Sequence, residues 1–415
     1  MREKKDSGVP WIGEIPKEWG TTRIKYVLKE SKERSIDGNE MPLSLSRGSG
    51  LIPSSMKENK TLESASYINA KVIHPGEIVF NRFKARLFAV SNYHGLVSPD
   101  YAVYQDSGKH VMQYYVYLFS TEPYRAAFDN KASGIGDGFS RLYTDDLFSM
   151  PTLLPPYNDQ SRIVAFLDAK CAEIDTVLES TRASIEEYKK LKQSVITEAV
   201  TTGVHGKRPM KDSGVEWIGE IPEEWAVCRG KTIMTLLERP VKEDDGVITC
   251  FRDGEVTLRS KRREEGFTFS LQEAGYQGIE PGDLVVHGMD GFAGAIGISD
   301  SRGKATPVLN VLDSQENKRF LMYQIRAMAY CGLFLSLATG IRVRSCDTNW
   351  NKLKVIRYFI PSRKEQDEIV SFLDHSLPAI DGLIASKEAL ITELESYKKS
   401  LIYEYVTGKK EVPAV

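Results

Sequence analysis

The sequence offers little to a disulfide framework or a metal motif. Its five cysteines, Cys171, Cys228, Cys250, Cys331 and Cys346, include no C-x-x-C pair. Their odd count suits a reducing compartment better than a cross-linked scaffold. The six histidines, His74, His94, His110, His205, His287 and His375, show no H-x-x-x-H or H-E-x-x-H spacing, so spacing gives no support to a zinc site. No stretch approaches the ~20 apolar residues of a membrane-spanning helix. The opening Met-Arg-Glu-Lys-Lys-Asp has no apolar run behind it. The expectation is a soluble, cytoplasmic protein with no membrane partner. An excess of positive charge is also missing. The 55 Lys and Arg nearly cancel the 57 Asp and Glu, leaving −2, with a pI near 6.4. That balance argues against a chain that binds nucleic acid by bulk charge, although it does not locate the charges.

There is no shortage of apolar material. With 415 residues, 41% of them hydrophobic, global disorder is excluded and two to four domains of roughly 100–200 residues are expected. Laid against itself, the sequence is a tandem duplication. Residues 5–19, KDSGVPWIGEIPKEW, return at 211–225 as KDSGVEWIGEIPEEW, a shift of 211 − 5 = 206. At the same shift Pro75-Gly76-Glu77-Ile78-Val79 matches Pro281-Gly282-Asp283-Leu284-Val285. Gln160-x-x-Ile163-Val164-x-Phe166-Leu167-Asp168 likewise matches Gln366-x-x-Ile369-Val370-x-Phe372-Leu373-Asp374. The register slips briefly to 208 at Ser98-Pro99 against Thr306-Pro307.

Each copy has two parts. The first mixes short β-branched and aromatic runs, such as 77–80, 88–90 and 101–104, with turn clusters and a helical stretch at 113–124. The grammar returns at 283–286, 295–298 and 308–312. It reads as a compact α/β (mixed α+β) head. The second part, 159–202, has neither Gly nor Pro. Its apolar stripe is Ile163, Leu167, Ile174, Leu178, Ile185, Tyr188, Val195 and Ala199, in steps of 4, 7, 4, 7, 3, 7 and 4. That is a coiled-coil-like seam on a helix of roughly 66 Å at 1.5 Å per residue. A narrow seam cannot bury itself, and 363–407 supplies a partner with Ile369, Leu373, Ile380, Ile384, Ile391, Leu394, Leu401 and Tyr405. Ser362-x-x-Glu365 is a capping-box start. Pro378, with Gly382 close behind, is expected to kink or break this helix. The expected architecture is two heads joined by two long antiparallel helices in a pseudo-two-fold arrangement. Its parts are 1–156, a first head; 157–205, a central helix; 206–361, a second head; and 362–415, a C-terminal helix.

The heads share Gly, Pro and apolar strand positions and diverge where basic residues gather. The first carries Arg82, Lys84 and Arg86 after a strand, with Arg47, Lys57 and Lys60 in a Ser/Gly/Asn-rich stretch. If extended, the alternating run puts its three cations on one side. The second carries Arg259, Lys261, Arg262 and Arg263, then Arg342 and Arg344. Cations interleaved with Phe, Asn, Ser and Gly suit phosphate and base-edge contacts, although a solvated face is the plain alternative for any one cluster.

Several motifs imitate chemistry. Leu154-Pro155-Pro156-Tyr157 lacks the polar first residue of an amino-methyltransferase loop, and its duplicate is Ile360-Pro361-Ser362-Arg363, so it reads as a helix-entry turn. Pro99-Asp100 with Asp129-Asn130-Lys131 has a nuclease-like outline that the second copy does not keep. Gly134-Ile135-Gly136-Asp137-Gly138 lacks the Lys-Ser/Thr ending of a P-loop and reads as a surface loop. Trp11 and Trp19, repeated as Trp217 and Trp225, could stack bases, but their place in a shared entrance motif favours packing.

The W-I-G-E-I-P-x-x-W entrance, the P-G-[ED]-[IL]-V strand, the S-P-D-Y-A-V-Y run and the P-P-Y-N-D-Q-x-x-I-V-x-F-L-D helix entry together resemble the DNA-specificity (S) subunit of type I restriction-modification systems. The resemblance covers the whole chain in two copies. It implies two target recognition domains, each reading half of a bipartite site on double-stranded DNA, and two helices that fix the gap between halves. It implies no catalytic, cofactor-binding or metal residues in this chain. Two methyltransferase subunits would bring S-adenosylmethionine, and motor-nuclease subunits would join for restriction. The N-terminal segment would close against the C-terminal helix. The competing classes are a nuclease or methyltransferase with degenerate motifs, and a protein-interaction adaptor.

Overall fold

The computed structural model describes residues 3–46, 48–57, 66–83, 87–134, 140–215, 218–262, 274–336 and 348–413. The chain divides into two compact units, Met1–Thr181 with Ala389–Val415, and Arg182–Glu388. The division falls inside each long helix.

The first unit is organised by a four-stranded antiparallel sheet in the order Leu28–Glu30, Tyr101–Asp106, Ile78–Asn81 and Phe88–Val90. Its central strands are buried on both faces, because successive side chains leave a strand on opposite sides. Phe80, Ala102 and Tyr104 face a core with Tyr114, Tyr115, Phe119 and Phe128. Val79 and Val103, the alternate positions, face Leu43, Leu45, Leu51, Ile73 and Val97. The second unit repeats the design with strands Thr235–Leu236, Leu309–Asp313, Leu284–His287 and Ile296–Ile298. Leu284, Val286 and Leu312 join one core, and Val285 and Val311 join the other.

The helix expected over 113–124 is two helices, Met112–Ser120 and Glu122–Lys131. Thr121 between them is extended (φ −66°, ψ 149°). Its hydroxyl donates to the Leu118 carbonyl at 2.7 Å, closing the first helix. Pro123, which cannot donate an amide hydrogen, fits the first turn of the second.

The long helices are Tyr157–Thr202 and Arg363–Val406. In the first unit Ile163, Leu167, Ile174 and Leu178 share a core with Leu401 and Tyr405, with Ile391 and Leu394 at its margin. In the second unit Ile196, Ala199 and Val200 share a core with Ile369, Leu373 and Leu377, with Val195 and Ile380 at its margin. In both, the start of one helix meets the end of the other, so the pair is antiparallel. Ile185 is buried, while Tyr188 and Ile384 are half-buried.

The seven-residue steps of the sequence stripe hide further seam members. Cys171 and Thr181 are buried in the first helix and Leu377 in the second. Lys192, Lys387 and Lys398 occupy the same periodic positions and lay their stems along the seam. Lys192 reaches Asp381 at 2.6 Å, Lys398 reaches Asp175 at 2.6 Å, and Lys387 lies over the Tyr188 ring at 5.7 Å.

Of the kink or break expected at Pro378 and Gly382, the break does not occur. Arg363–Val406 is one α-helix with Pro378 inside it. Pro378 is exposed, so water can satisfy the backbone carbonyl one turn earlier, while buried Leu373 and Leu377 hold the other face in place. Both helices end at a left-handed glycine, Gly203 (φ 77°) and Gly408 (φ 68°), a conformation that glycine adopts without strain.

Candidate nucleic-acid interface

Each head is rooted on a long helix by the same polar contacts, 206 residues apart. The Trp19 indole donates to Asp159 at 2.9 Å, and that of Trp225 donates to Glu365 at 3.1 Å. Gln160 accepts from the Val111 amide at 2.9 Å and donates to the Pro155 carbonyl at 2.9 Å. Gln366 accepts from the Asn317 amide at 2.9 Å and donates to the Pro361 carbonyl at 3.0 Å. The Tyr117 and Tyr323 hydroxyls donate to Asp168 and Asp374 at 2.6 and 2.9 Å. Trp11 packs edge-on to Tyr124, so the described entrance tryptophans serve packing; Trp217 lies outside the described residues. The N-terminal segment meets the end of the second long helix, where Tyr114 donates to the Val406 carbonyl at 2.7 Å and Lys409 to the Ile12 carbonyl at 3.2 Å. Only half of the expected capping box forms. The Glu365 amide donates to Ser362 Oγ at 3.3 Å, but the Glu365 carboxylate turns to Trp225 and to Arg208, at 2.6 Å.

In the first head, Arg82 follows the strand Ile78–Asn81. Its guanidinium donates to Glu30 at 2.5 Å and to Thr144 at 3.1 Å. Lys71 meets the same Glu30 at 3.5 Å. Burial pushes the Lys71 ammonium down from the usual lysine range, and neighbouring Arg82 adds to the effect. Tyr104 completes the network through Thr144 at 3.2 Å. Arg82 therefore braces the sheet. Lys57 is half-buried after the turn Ser54–Met56, while Arg47, Lys60, Lys84 and Arg86 lie outside the described residues.

The same edge presents a cation that sequence inspection passed over. Arg141 lies on the two-residue ladder of Ser133–Gly134 with Ser140–Arg141. Its guanidinium is 5.4 Å from both the Phe83 and the Tyr143 ring centres. Arg141 Nε is buried without a hydrogen-bond partner, and Tyr143 is 42% exposed. Two aromatic faces hold the planar cation by π attraction, and among the described residues no hydrogen-bond partner takes up its Nε. The available signal was the alternation Arg141-Leu142-Tyr143, with Phe83 supplied by a distant strand end.

In the second head, the basic cluster begins in a helical turn, Arg259–Arg262, after the strand Val256–Leu258. Arg262 pairs with Asp253 and with Glu255, the latter at 2.8 Å, and lies 4.1 Å from the Phe251 ring centre. Lys261 reaches Ser301 at 2.7 Å and Asp300 at 3.3 Å. Arg259 donates to Thr249 at 3.4 Å. Burial opposes ionisation of Asp253, but hydrogen bonds from Arg262 and the Glu255 amide outweigh it and hold the carboxyl below its usual range. Asp300 is held low chiefly by Ser301, with Thr257 and Lys261 assisting. This basic cluster is thus matched by carboxylates. Arg263, Arg342 and Arg344 lie outside the described residues.

Pro155 and Pro156 make the turn between the strand Pro151–Leu154 and the first long helix. Asp129 and Lys131 are exposed at the end of Glu122–Lys131, and Asp100 is exposed in a turn. Gly134 belongs to the short ladder, while residues 135–138 lie outside the described residues. Among the described residues no helix is long and apolar enough to cross a membrane.

No protein-family model matches the chain, and no curated protein does. Solved structures do. A chain from the work described as "Structural basis underlying complex assembly and conformational transition of the type I R-M system" aligns with 95% of this chain and 99% of its own, at 14% identity and TM-score 0.66. The HsdS subunit from Thermoanaerobacter tengcongensis aligns over 95% and 98%, at 14% identity and TM-score 0.48. The type I restriction-modification S subunit from M. genitalium aligns over 93% and 96%, at 10% identity and TM-score 0.39. The first is a likeness of fold along essentially the whole chain. The other two are too loose to add to it.

Proposed function

We propose that the chain is the DNA-specificity subunit of a type I restriction-modification complex and has no catalytic role of its own. Each head reads one half of a bipartite duplex site, and the paired long helices fix the interval between the halves. The carrying observation is the division of labour within the duplicate: the head-to-helix contacts repeat at a constant shift, while the cationic edges differ. A protein that reads two unlike half-sites needs a common mounting and unlike contact surfaces. The whole-chain fold likeness to a type I system supports this choice over an adaptor.

In the first head, Arg141 between Phe83 and Tyr143 is the preferred contact, because its donors can meet phosphate or a guanine edge while the rings hold the guanidinium in place. In the second, Lys261 and Arg262 exchange their carboxylates for phosphates on binding. Double-stranded DNA, two methyltransferase subunits and motor-nuclease subunits are the partners, S-adenosylmethionine belongs to the methyltransferase, and the cytoplasm is the setting.

The test is methylation mapping with the partner methyltransferase. Replacing residues 21–150 by another head should change one half of a two-part motif and leave the gap intact. An unchanged motif would refute the proposal. Arg141→Ala should weaken DNA binding by the assembled complex by about 1–3 kcal/mol. Metal- or S-adenosylmethionine-dependent turnover by the purified chain, abolished by Asp129→Ala, would establish the enzyme alternative instead.

A further inference from the structure

The first head holds two histidines that are twenty positions apart in sequence and adjacent in space. His74 follows the strand Lys71–Ile73 and His94 precedes Gly95–Val97. These strands pair antiparallel, with Gly95 opposite Ile73. The pairing brings His74 Nδ1 and His94 Nδ1 to 3.1 Å, with ring centres 4.8 Å apart. The other nitrogen of His74, Nε2, lies 2.9 Å from Glu33 Oε2.

We propose that His74 Nδ1 and His94 Nδ1 form a binding site for a divalent transition-metal ion of the zinc, nickel or copper class, with Glu33 orienting His74. Imidazole suits these ions, and a carboxylate on the second ring nitrogen is the common way a ligand histidine is fixed in tautomer and direction. The two distances agree with one shared cation. An ion about 2.05 Å from each nitrogen subtends about 98° when they are 3.1 Å apart. Ring centres, about 1.15 Å behind each ligating nitrogen, then stand about 4.8 Å apart, which matches the observed 4.8 Å. A straight N–H···N bond at this nitrogen separation places the centres about 5.4 Å apart, wider than the 4.8 Å observed. Among the described residues no third His, Cys, Asp or Glu completes a metal cluster. The remaining coordination positions therefore fall to water or to an outside ligand.

The second head shows what the same place becomes without imidazoles. Ile279 and Gly303 repeat the pairing of Ile73 and Gly95. The residues in the positions of His74 and His94 are Glu280 and Arg302, which form an ion pair. Asp245 also grips Arg302, at 3.0 Å. A permanent cation there neutralises its carboxylates. In the first head Glu33 and Glu77 stand beside His74 and favour its charged form, but neither imidazole carries the permanent charge of an arginine, and a bound ion can take that place.

Equilibrium dialysis of the full chain against zinc ions tests the site. The wild type is expected to bind one zinc ion that His94→Ala weakens at least tenfold, while His375→Ala leaves that binding unchanged. The double substitution His74→Glu with His94→Arg imports the second head's ion pair. It should keep the fold and abolish the same zinc ion, and it carries the test if His94→Ala does not fold. No zinc binding by the wild type, or an isotherm unaffected by the double substitution, overturns the proposal.

Discussion

At the root of the first head Trp19 donates to Asp159, and at the root of the second Trp225 donates to Glu365. Among the described residues the edges correspond less well. Arg141 lies between two rings in one head, whereas Arg262 is committed to two carboxylates in the other. His74 meets His94 where Glu280 meets Arg302. Both indoles fill buried space and satisfy a buried N–H, and few side-chain sets do both. An exposed edge can change its charge pairs at little cost to stability.

The largest expected effect tests whether the roots are equivalent. Trp19→Ala and Trp225→Ala remove indoles that are 1% exposed. Each should destabilise its own unit by about 3–5 kcal/mol, read as a shift in the denaturant transition of that unit. A mild effect at either root would break the equivalence. A smaller effect distinguishes the two long helices. Pro378→Ala should stabilise the second by up to about 3 kcal/mol, because it restores an amide donor in an exposed helix interior. A raised melting temperature checks this, and a fall would mean the proline is needed.

The smallest effect concerns acid. In the second unit, Asp300, Asp313 and Asp367 are held below the usual carboxyl range, chiefly by hydrogen bonds from Ser301, Lys318 and Asn317 respectively. In the first unit Asp37 is lowered by hydrogen bonds from Asn39, and Asp106, opposed by burial, by His110. A carboxyl whose folded pKa lies below its unfolded value adds stability above the unfolded pKa and loses it as pH falls through the folded pKa. The second unit should therefore weaken more steeply below about pH 4, seen by following unit-specific tryptophan fluorescence during acid titration. Equal acid sensitivity would show that these contacts do not separate the units.

The repeat and the strand positions were legible because burial leaves a periodic trace. The run 77–80 lies one residue from the strand Ile78–Asn81, 88–90 coincides with Phe88–Val90, and 101–104 opens the longer strand Tyr101–Asp106. The helical seam was legible only at its apolar positions. Cys171, Thr181 and the three seam lysines escaped notice because small or amphipathic side chains interrupt a hydrophobic count while still occupying the seam. Asp159 and Glu365 were invisible as anchors, since a surface carboxylate and an indole's partner look alike in sequence.

Sequence alone determined that this is one unit used twice, with a mixed head and a long helix in each copy, because duplication and hydrophobic period are one-dimensional properties. Tertiary structure decided that Pro378 stays within a continuous helix, that Arg82 is a brace and Arg141 an edge, and that two histidines meet. Each of those outcomes depends on which distant strand or ring stands alongside, and only packing brings those partners together.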